Sequence, residues 1–114
     1  MNDLIRPALY DAYHQITPLK KSLSHQVTKS PEKVDIVGPI CESADFLARS
    51  RKMPKLGEGD YLAVMGAGAY GFSMSSNYNS RKRPAEVMVK DNRAFIIRGR
   101  EDYPDLVRNE RLLR

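Results

Sequence analysis

The sequence predicts a mainly β protein, a small barrel or sandwich with short helices at its periphery. Three stretches carry that expectation. Val34–Gly38 alternates apolar and polar residues ahead of Pro39, and Tyr61–Met65 is an apolar run following the turn residues Gly57-Glu58-Gly59-Asp60. Ala85–Lys90 and Arg93–Arg98 flank Asp91-Asn92 as the two arms of a β-hairpin.

The elements follow in order. Asn2 and Asp3 are capping residues ahead of Leu4, Ile5, Ala8, Leu9 and Ala12 at helical spacing, which predicts an amphipathic helix from Asp3 to His14. Pro7 sits near its first turn, where a missing N–H does little harm. The polar stretch Thr17–Lys33 reads as an exposed loop with one short strand over Lys21–Gln26. After the Val34 strand, Ser43 is placed to cap a short helix over Ala44–Arg49. Tyr61–Met65 is the next strand, and Gly66-Ala67-Gly68-Ala69 leads into a long one over Tyr70–Tyr78. Alternation in both hairpin arms implies one buried face and one wet face. Glu101–Leu113 reads as a closing helix anchored by Leu106, Val107 and Leu113. No internal repeat or low-complexity tract interrupts this plan.

Bulk properties bound the function. The 114 residues make one domain or a piece of a larger one, and 41% hydrophobic content allows only a modest core. The net charge of +5 invites a nucleic-acid reading. The basic residues are nevertheless scattered among acids (Lys20-Lys21, Arg49-Arg51-Lys52, Arg81-Lys82-Arg83, Arg108 to Arg114) with no aromatic stacking ladder, so a solvated surface is expected and no nucleic-acid partner. A pocket for an acidic substrate is compatible with the balance. A single cysteine and two histidines exclude an internal disulfide framework and a multi-thiolate zinc site, so no metal is expected. No signal-peptide pattern and no apolar run near the roughly 20 residues of a membrane span are present; no membrane partner is expected and the cytoplasm is the default location.

Four groups of residues can carry chemistry. Gly38-Pro39 turns the chain and projects Cys41 and Glu42, where a thiol beside a carboxylate suits a proton donor and cation ligand; a small buried thiol beside an ordinary surface acid fits the same residues. Gly66-Ala67-Gly68-Ala69-Tyr70-Gly71 lets a ligand approach the backbone and offers a phenol, or makes a tight connection with Tyr70 in the core. It lacks the GxGxxG spacing of a nucleotide loop. Arg6 and Tyr10 lie four apart on one helical face and suit a carboxylate clamp, although an exposed arginine beside a half-buried tyrosine is the commoner arrangement. His14 and His25 read as surface residues, and no Ser-His-Asp pattern can be assembled.

Taken together, Asp3-Leu4-Ile5-Arg6-Pro7-Ala8-Leu9-Tyr10, Gly38-Pro39-Ile40-Cys41-Glu42-Ser43-Ala44-Asp45, Gly66–Gly71, Ser76-Asn77-Tyr78-Asn79-Ser80 and Arg83-Pro84-Ala85-Glu86-Val87 occur in the order found in the diaminopimelate decarboxylase family. The chain resembles the C-terminal β-domain of these pyridoxal-phosphate-dependent, alanine racemase-like (fold-type III) decarboxylases. The likeness covers nearly all of it except Thr17–Lys33 and the last few residues. Related ornithine and arginine decarboxylases place an aspartate after the cysteine, so Glu42 favours the diaminopimelate branch. Lys82, where that branch often has proline, and Ser50, where it often has an acid nearby, are departures.

The resemblance implies a (β/α)8 barrel before this domain, pyridoxal 5′-phosphate held there by a lysine that no lysine here matches, and a homodimer that completes each active site. It implies conversion of meso-diaminopimelate to L-lysine and carbon dioxide. Residue by residue, it implies that Arg6 and Tyr10 bind the distal carboxylate of the substrate and Glu42 its distal ammonium. It further implies that Tyr70 contacts cofactor and substrate, and that Cys41 donates a proton across the dimer interface. Residues 1–16 would then be a helix at the barrel junction, 34–100 the β-core and 101–114 a C-terminal helix. A helix, loop and sheet beginning at Met1 suit a piece of a larger protein, and the chain alone is expected to be inactive. The alternatives are an ornithine/arginine-type decarboxylase domain and a stand-alone β-barrel binding module.

Overall fold

The computed structural model describes residues 1–19 and 30–113. The strand expected over Lys21–Gln26, and His25, lie outside the described residues. Along the chain run α1 (Arg6–Tyr10), β1 (Ile16–Pro18), β2 (Glu32–Val37), β3 (Phe46–Met53), β4 (Leu62–Val64), a 3₁₀ turn (Tyr78–Ser80), β5 (Glu86–Lys90), β6 (Arg93–Arg98) and α2 (Tyr103–Val107). The strands form three separate two-stranded antiparallel sheets, β1–β4, β2–β3 and β5–β6. The protein is thus mainly β with short helices, as expected, but the described strands close no barrel.

The first helix is much shorter than Asp3–His14. Asp11 takes the left-handed conformation (φ 55°), and its N–H together with that of Ala12 returns to the carbonyls of Pro7 and Arg6. Pro7 is buried in the first turn. The chain then reverses, so that Thr17 and Pro18, expected as loop, belong to the strand Ile16–Pro18, with Ile16 opposite Val64 and Pro18 opposite Leu62.

The segment after Ser43 is also not helical. Leu, Ala, Arg and Lys favour a helix locally, but β3 pairs with β2 from Glu32↔Met53 to Val37↔Phe46, and its Ala48 and Met53 enter the core. A bulge lies where Asp35 faces both Arg49 and Ser50. There Ser50 has φ 52°, and its N–H donates to the Asp35 carboxylate at 2.7 Å.

The long strand expected over Tyr70–Tyr78 is replaced by successive turns. The N–H groups of Tyr70 and Gly71 both donate to the Ala67 carbonyl (3.0 and 2.7 Å), and the hydroxyls of Ser73 and Ser75 donate to the carbonyls of Ala69 and Phe72. Local serine hydrogen bonds of this kind compete with a ladder.

The hairpin forms with the expected two-residue turn and keeps one register from Lys90 to Val87, shifting by one residue at Glu86, which pairs with Arg98. Lys90 faces Arg93 across Asp91-Asn92, whose φ values of 49° and 60° define the two left-handed positions of a type I′ turn. Its expected buried face does not appear among the described residues: Val87, Val89, Phe95, Ile96 and Ile97 are all exposed. The buried apolar core is small, with Leu4, Ala48 and Met53 its innermost members. The radius of gyration is 16.9 Å, against about 13 Å for a compact chain of this length.

The closing helix is likewise shorter than expected. Asp102 and Asp105 cap α2 reciprocally, Leu106 is half-buried, and Val107 and Leu113 are exposed rather than anchoring. No described helix is long and apolar enough to cross a membrane.

Candidate functional site

The residues expected to carry chemistry fall into two groups fastened to one spine, residues 1–5. Asn2 is buried and its side-chain amide donates to the carbonyls of Ser76 (3.3 Å) and Tyr78 (2.7 Å), while its own carbonyl accepts from the Ser76 N–H. Arg81 reaches the Asp3 carboxylate through Nη2 at 3.0 Å and Nε at 3.3 Å. The Met1 amino group donates to the Asp45 carboxylate. The same few residues therefore tie down both the 66–81 turns and the loop that carries Cys41.

Arg6, at the start of α1, is the centre of the first group. Its guanidinium carbon lies 3.8 Å over the Tyr70 ring and 5.5 Å from the Tyr10 centroid, and its Nε donates to the Tyr10 hydroxyl at 2.6 Å. Stacking on an aromatic face and donation to a phenol hold the guanidinium plane against rotation. Gly66, at φ +65°, makes the backbone reversal that leads from β4 into the turns carrying Tyr70. At Gly71 an added Cβ would make a tight contact, 3.3 Å from the Ala67 carbonyl oxygen.

The second group is the loop Gly38–Asp45. It is closed by the Gly38 N–H to the Asp45 carbonyl (2.8 Å) and by the Ile40 N–H to the Asp45 carboxylate (2.7 Å). Inside it, Glu42 and Asp45 form a further turn through Asp45 N–H to the Glu42 carbonyl at 2.9 Å. Cys41 and Glu42 are projected to the surface. The small-buried-thiol reading of Cys41 is thereby overturned, because the apolar interior lies on the Asp45 side of the loop.

Burial pushes the Asp45 carboxyl up, but donation from the Met1 amino group and the Ile40 N–H, with the Arg81 charge nearby, brings it below its ordinary value. Gly38 is required here. A Cβ on it would fall on the Asp45 carboxylate, with Cγ 2.5 Å away.

The structure therefore brings Arg6, Tyr10 and Tyr70 into one cluster and Cys41 with Glu42 onto one loop. Among the described residues no hydrogen bond, ion pair or ring contact joins the two groups directly. A shallow recess beside the spine is lined by Asn2, Asp3, Ile40, Asp45, Leu47 and Arg81, and none of the five expected site residues lines it. No group of three or more His, Cys, Asp or Glu comes together as a metal would need, among the described residues.

His14 corrects the expectation of a surface histidine. It is buried, with Nδ1 2.9 Å from the Met65 carbonyl oxygen and Nε2 3.5 Å from Arg6 Nη1. The reversal at Asp11 turns it inward, and no helical spacing could have shown this. Asp45 carried no role in the sequence reading; its one signal is an acid placed to close the loop that begins at Gly38.

The family described as "Pyridoxal-dependent decarboxylase, C-terminal sheet domain" matches residues 1–68. The diaminopimelate decarboxylase of Methanothermobacter thermautotrophicus is 49% identical over 109 residues, covering 96% of this chain and 24% of its own length. That of Aquifex aeolicus is 53% identical over 109 residues, covering 94% and 24%. The crystal structure of the M. jannaschii diaminopimelate decarboxylase in co-complex with L-lysine superposes with a TM-score of 0.86 at 43% identity, covering 99% of this chain and 25% of that one. The chain thus spans about a quarter of the length of the relatives it matches.

Proposed function

This chain belongs to the family of pyridoxal-dependent decarboxylase C-terminal sheet domains, and on that premise we propose that it is the substrate-reading part of a diaminopimelate decarboxylase. The whole enzyme converts meso-diaminopimelate to L-lysine and carbon dioxide in lysine biosynthesis, in the cytoplasm. Its partners are an N-terminal (β/α)8 barrel, against which residues 1–16 lie, and a second copy of the enzyme. The relatives reported above are all named diaminopimelate decarboxylases, which favours this reading over ornithine or arginine as substrate. Family membership sets aside a stand-alone binding module.

The observation that carries the proposal is the Arg6 guanidinium held between two phenols on an exposed face. A zwitterionic distal end needs a planar cation for its carboxylate and an anion for its ammonium. Arg6 with Tyr10 supplies the first and Glu42 the second. A site built to pair both charges rejects substrates that lack either one.

Pyridoxal 5′-phosphate, when bound to the barrel, supplies the electron sink for loss of the carboxyl group. The residues here fit its edge: Tyr70 is 40% exposed and offers a hydroxyl beside the Arg6 charge, a donor set suited to an anionic group. The Cys41 thiol donates a proton to the carbon that has lost carbon dioxide. Its exposure on a rigid loop suits action in the active site of the partner copy. None of these residues provides the lysine that holds the cofactor, so the chain alone is inactive.

The test uses the full-length enzyme bearing this domain, assayed for carbon dioxide release from diaminopimelate, ornithine and arginine. Diaminopimelate is the expected substrate, and a preference for ornithine or arginine would overturn the reading. Cys41→Ala is expected to lower kcat far more than it raises KM; an unchanged kcat would remove Cys41 from the chemistry. L-lysine formation by residues 1–114 alone would refute the division of labour.

A further inference from the structure

We propose that His14 is a positioning residue that fixes the Arg6 guanidinium for the substrate's distal carboxylate, through a tautomer imposed by the Met65 carbonyl. The inference rests on the reading of Arg6 given above. His14 is 3% exposed, and a buried imidazole needs a partner at each nitrogen. Nδ1 lies 2.9 Å from the Met65 carbonyl oxygen, an atom that can only accept. Nδ1 therefore carries the proton, and the lone pair of the neutral ring sits on Nε2.

Nε2 is the nitrogen that faces Arg6 Nη1, at 3.5 Å. Arginine has donors only, so this pairing works in one tautomer and fails in the other.

The backbone enforces the arrangement. The Met65 N–H is taken by the Gln15 carbonyl at 2.8 Å, which continues the β1–β4 ladder by one residue and leaves the Met65 carbonyl turned towards His14. The helix stop at Asp11 brings residue 14 under residue 6. Arg6 is then held on three sides: by the Tyr70 face, by the Tyr10 hydroxyl at Nε and by His14 at Nη1. A guanidinium has five N–H groups, so donors remain for a carboxylate after these contacts. Holding the fork before substrate arrives lowers the ordering cost of binding.

The experiment uses the full-length enzyme and three variants. His14→Asn keeps an N–H where Nδ1 stands and deletes the acceptor at Nε2, so it retains the bond to Met65 while releasing Arg6. It is expected to raise KM for diaminopimelate about tenfold, with kcat changed less than threefold. A purely structural histidine would leave His14→Asn close to wild type, and that result overturns the proposal. Arg6→Ala alone should raise KM further, and adding His14→Asn to it should change nothing more; independent, additive effects would also overturn the proposal.

Nitrogen-15 NMR of the His14 ring gives a readout free of activity. A protonated Nδ1 with a lone pair on Nε2 is expected, and the opposite tautomer sinks the inference whatever Arg6 does. Should Arg6→Ala leave KM unchanged, the reading of Arg6 falls and the substrate role of His14 falls with it. The Nε2 nitrogen-15 shift, compared between wild type and Arg6→Ala, would still report separately whether His14 contacts the guanidinium.

Discussion

Replacing Gly38 by alanine tests the architecture of the Cys41 loop. The added methyl carbon would stand 2.5 Å from Asp45 Cγ, whereas carbon atoms in contact prefer about 3.5–4.0 Å, so something must move by about 1 Å. Asp45 cannot yield freely, because it is 4% exposed and its carboxylate accepts the Ile40 N–H at 2.7 Å. Overpacking of this kind costs about 1–3 kcal/mol. Loss of a carboxylate–amide hydrogen bond costs about 1.5–3 kcal/mol. The two overlap, since relieving the clash breaks the bond, and a combined local destabilisation of about 2–3 kcal/mol is expected.

At about 1.4 kcal/mol per tenfold, the Ile40 amide should exchange with deuterium about 30- to 150-fold faster in Gly38→Ala full-length protein. Gly99→Ala is the control, because nothing lies within 4 Å of its Cβ and its backbone is not left-handed. Equal Ile40 exchange in both variants and wild type would show that the Gly38–Asp45 contact does not hold the loop.

Two further outcomes concern the other end of the chain. The Arg83 N–H and the Asn77 amide both donate to one Glu101 oxygen, at 2.7 and 2.6 Å, and hold its carboxyl below the ordinary value of 4.5. Its folded-state value is depressed, so its contribution to stability is complete above about pH 4.5 and is lost as the pH falls through the lowered value. The stability gap between wild type and Glu101→Gln, followed by acid denaturation, should therefore narrow between pH 6 and pH 3; a gap independent of pH contradicts the assignment. Asn92 has φ 60°, so Asn92→Val should destabilise the β5–β6 hairpin by about 1–2 kcal/mol while Asn92→Gly should not. Amide exchange along Glu86–Arg98 reads the difference, and equal protection in the two variants would contradict it.

Local chemistry was legible in the residues themselves. Asp91-Asn92 between two alternating runs specifies a two-residue turn because few residue types tolerate two consecutive left-handed conformations. Val34–Gly38 announced β2, and Gly38-Pro39 announced the turn that exposes Cys41 and Glu42. The ordered motifs from Asp3 to Val87 were enough to name the family, because several weak local signals in a fixed order are jointly specific.

Tertiary structure decided what depends on distant partners. Phe46–Met53 has the composition of a helix, and only pairing with β2 makes it a strand. Thr17 lies in a strand because Ala63 lies opposite it. The hairpin alternates as a half-buried ribbon should, yet its apolar side chains stay exposed, since burial requires a second surface and alternation cannot say where that surface is. In the sequence His14 reads as a surface residue and Asp45 carries no role for the same reason: each meets a residue brought near by a chain reversal, Arg6 in one case and Gly38 in the other. Sequence periodicity reports neighbours along one element, whereas the site is built from contacts between elements.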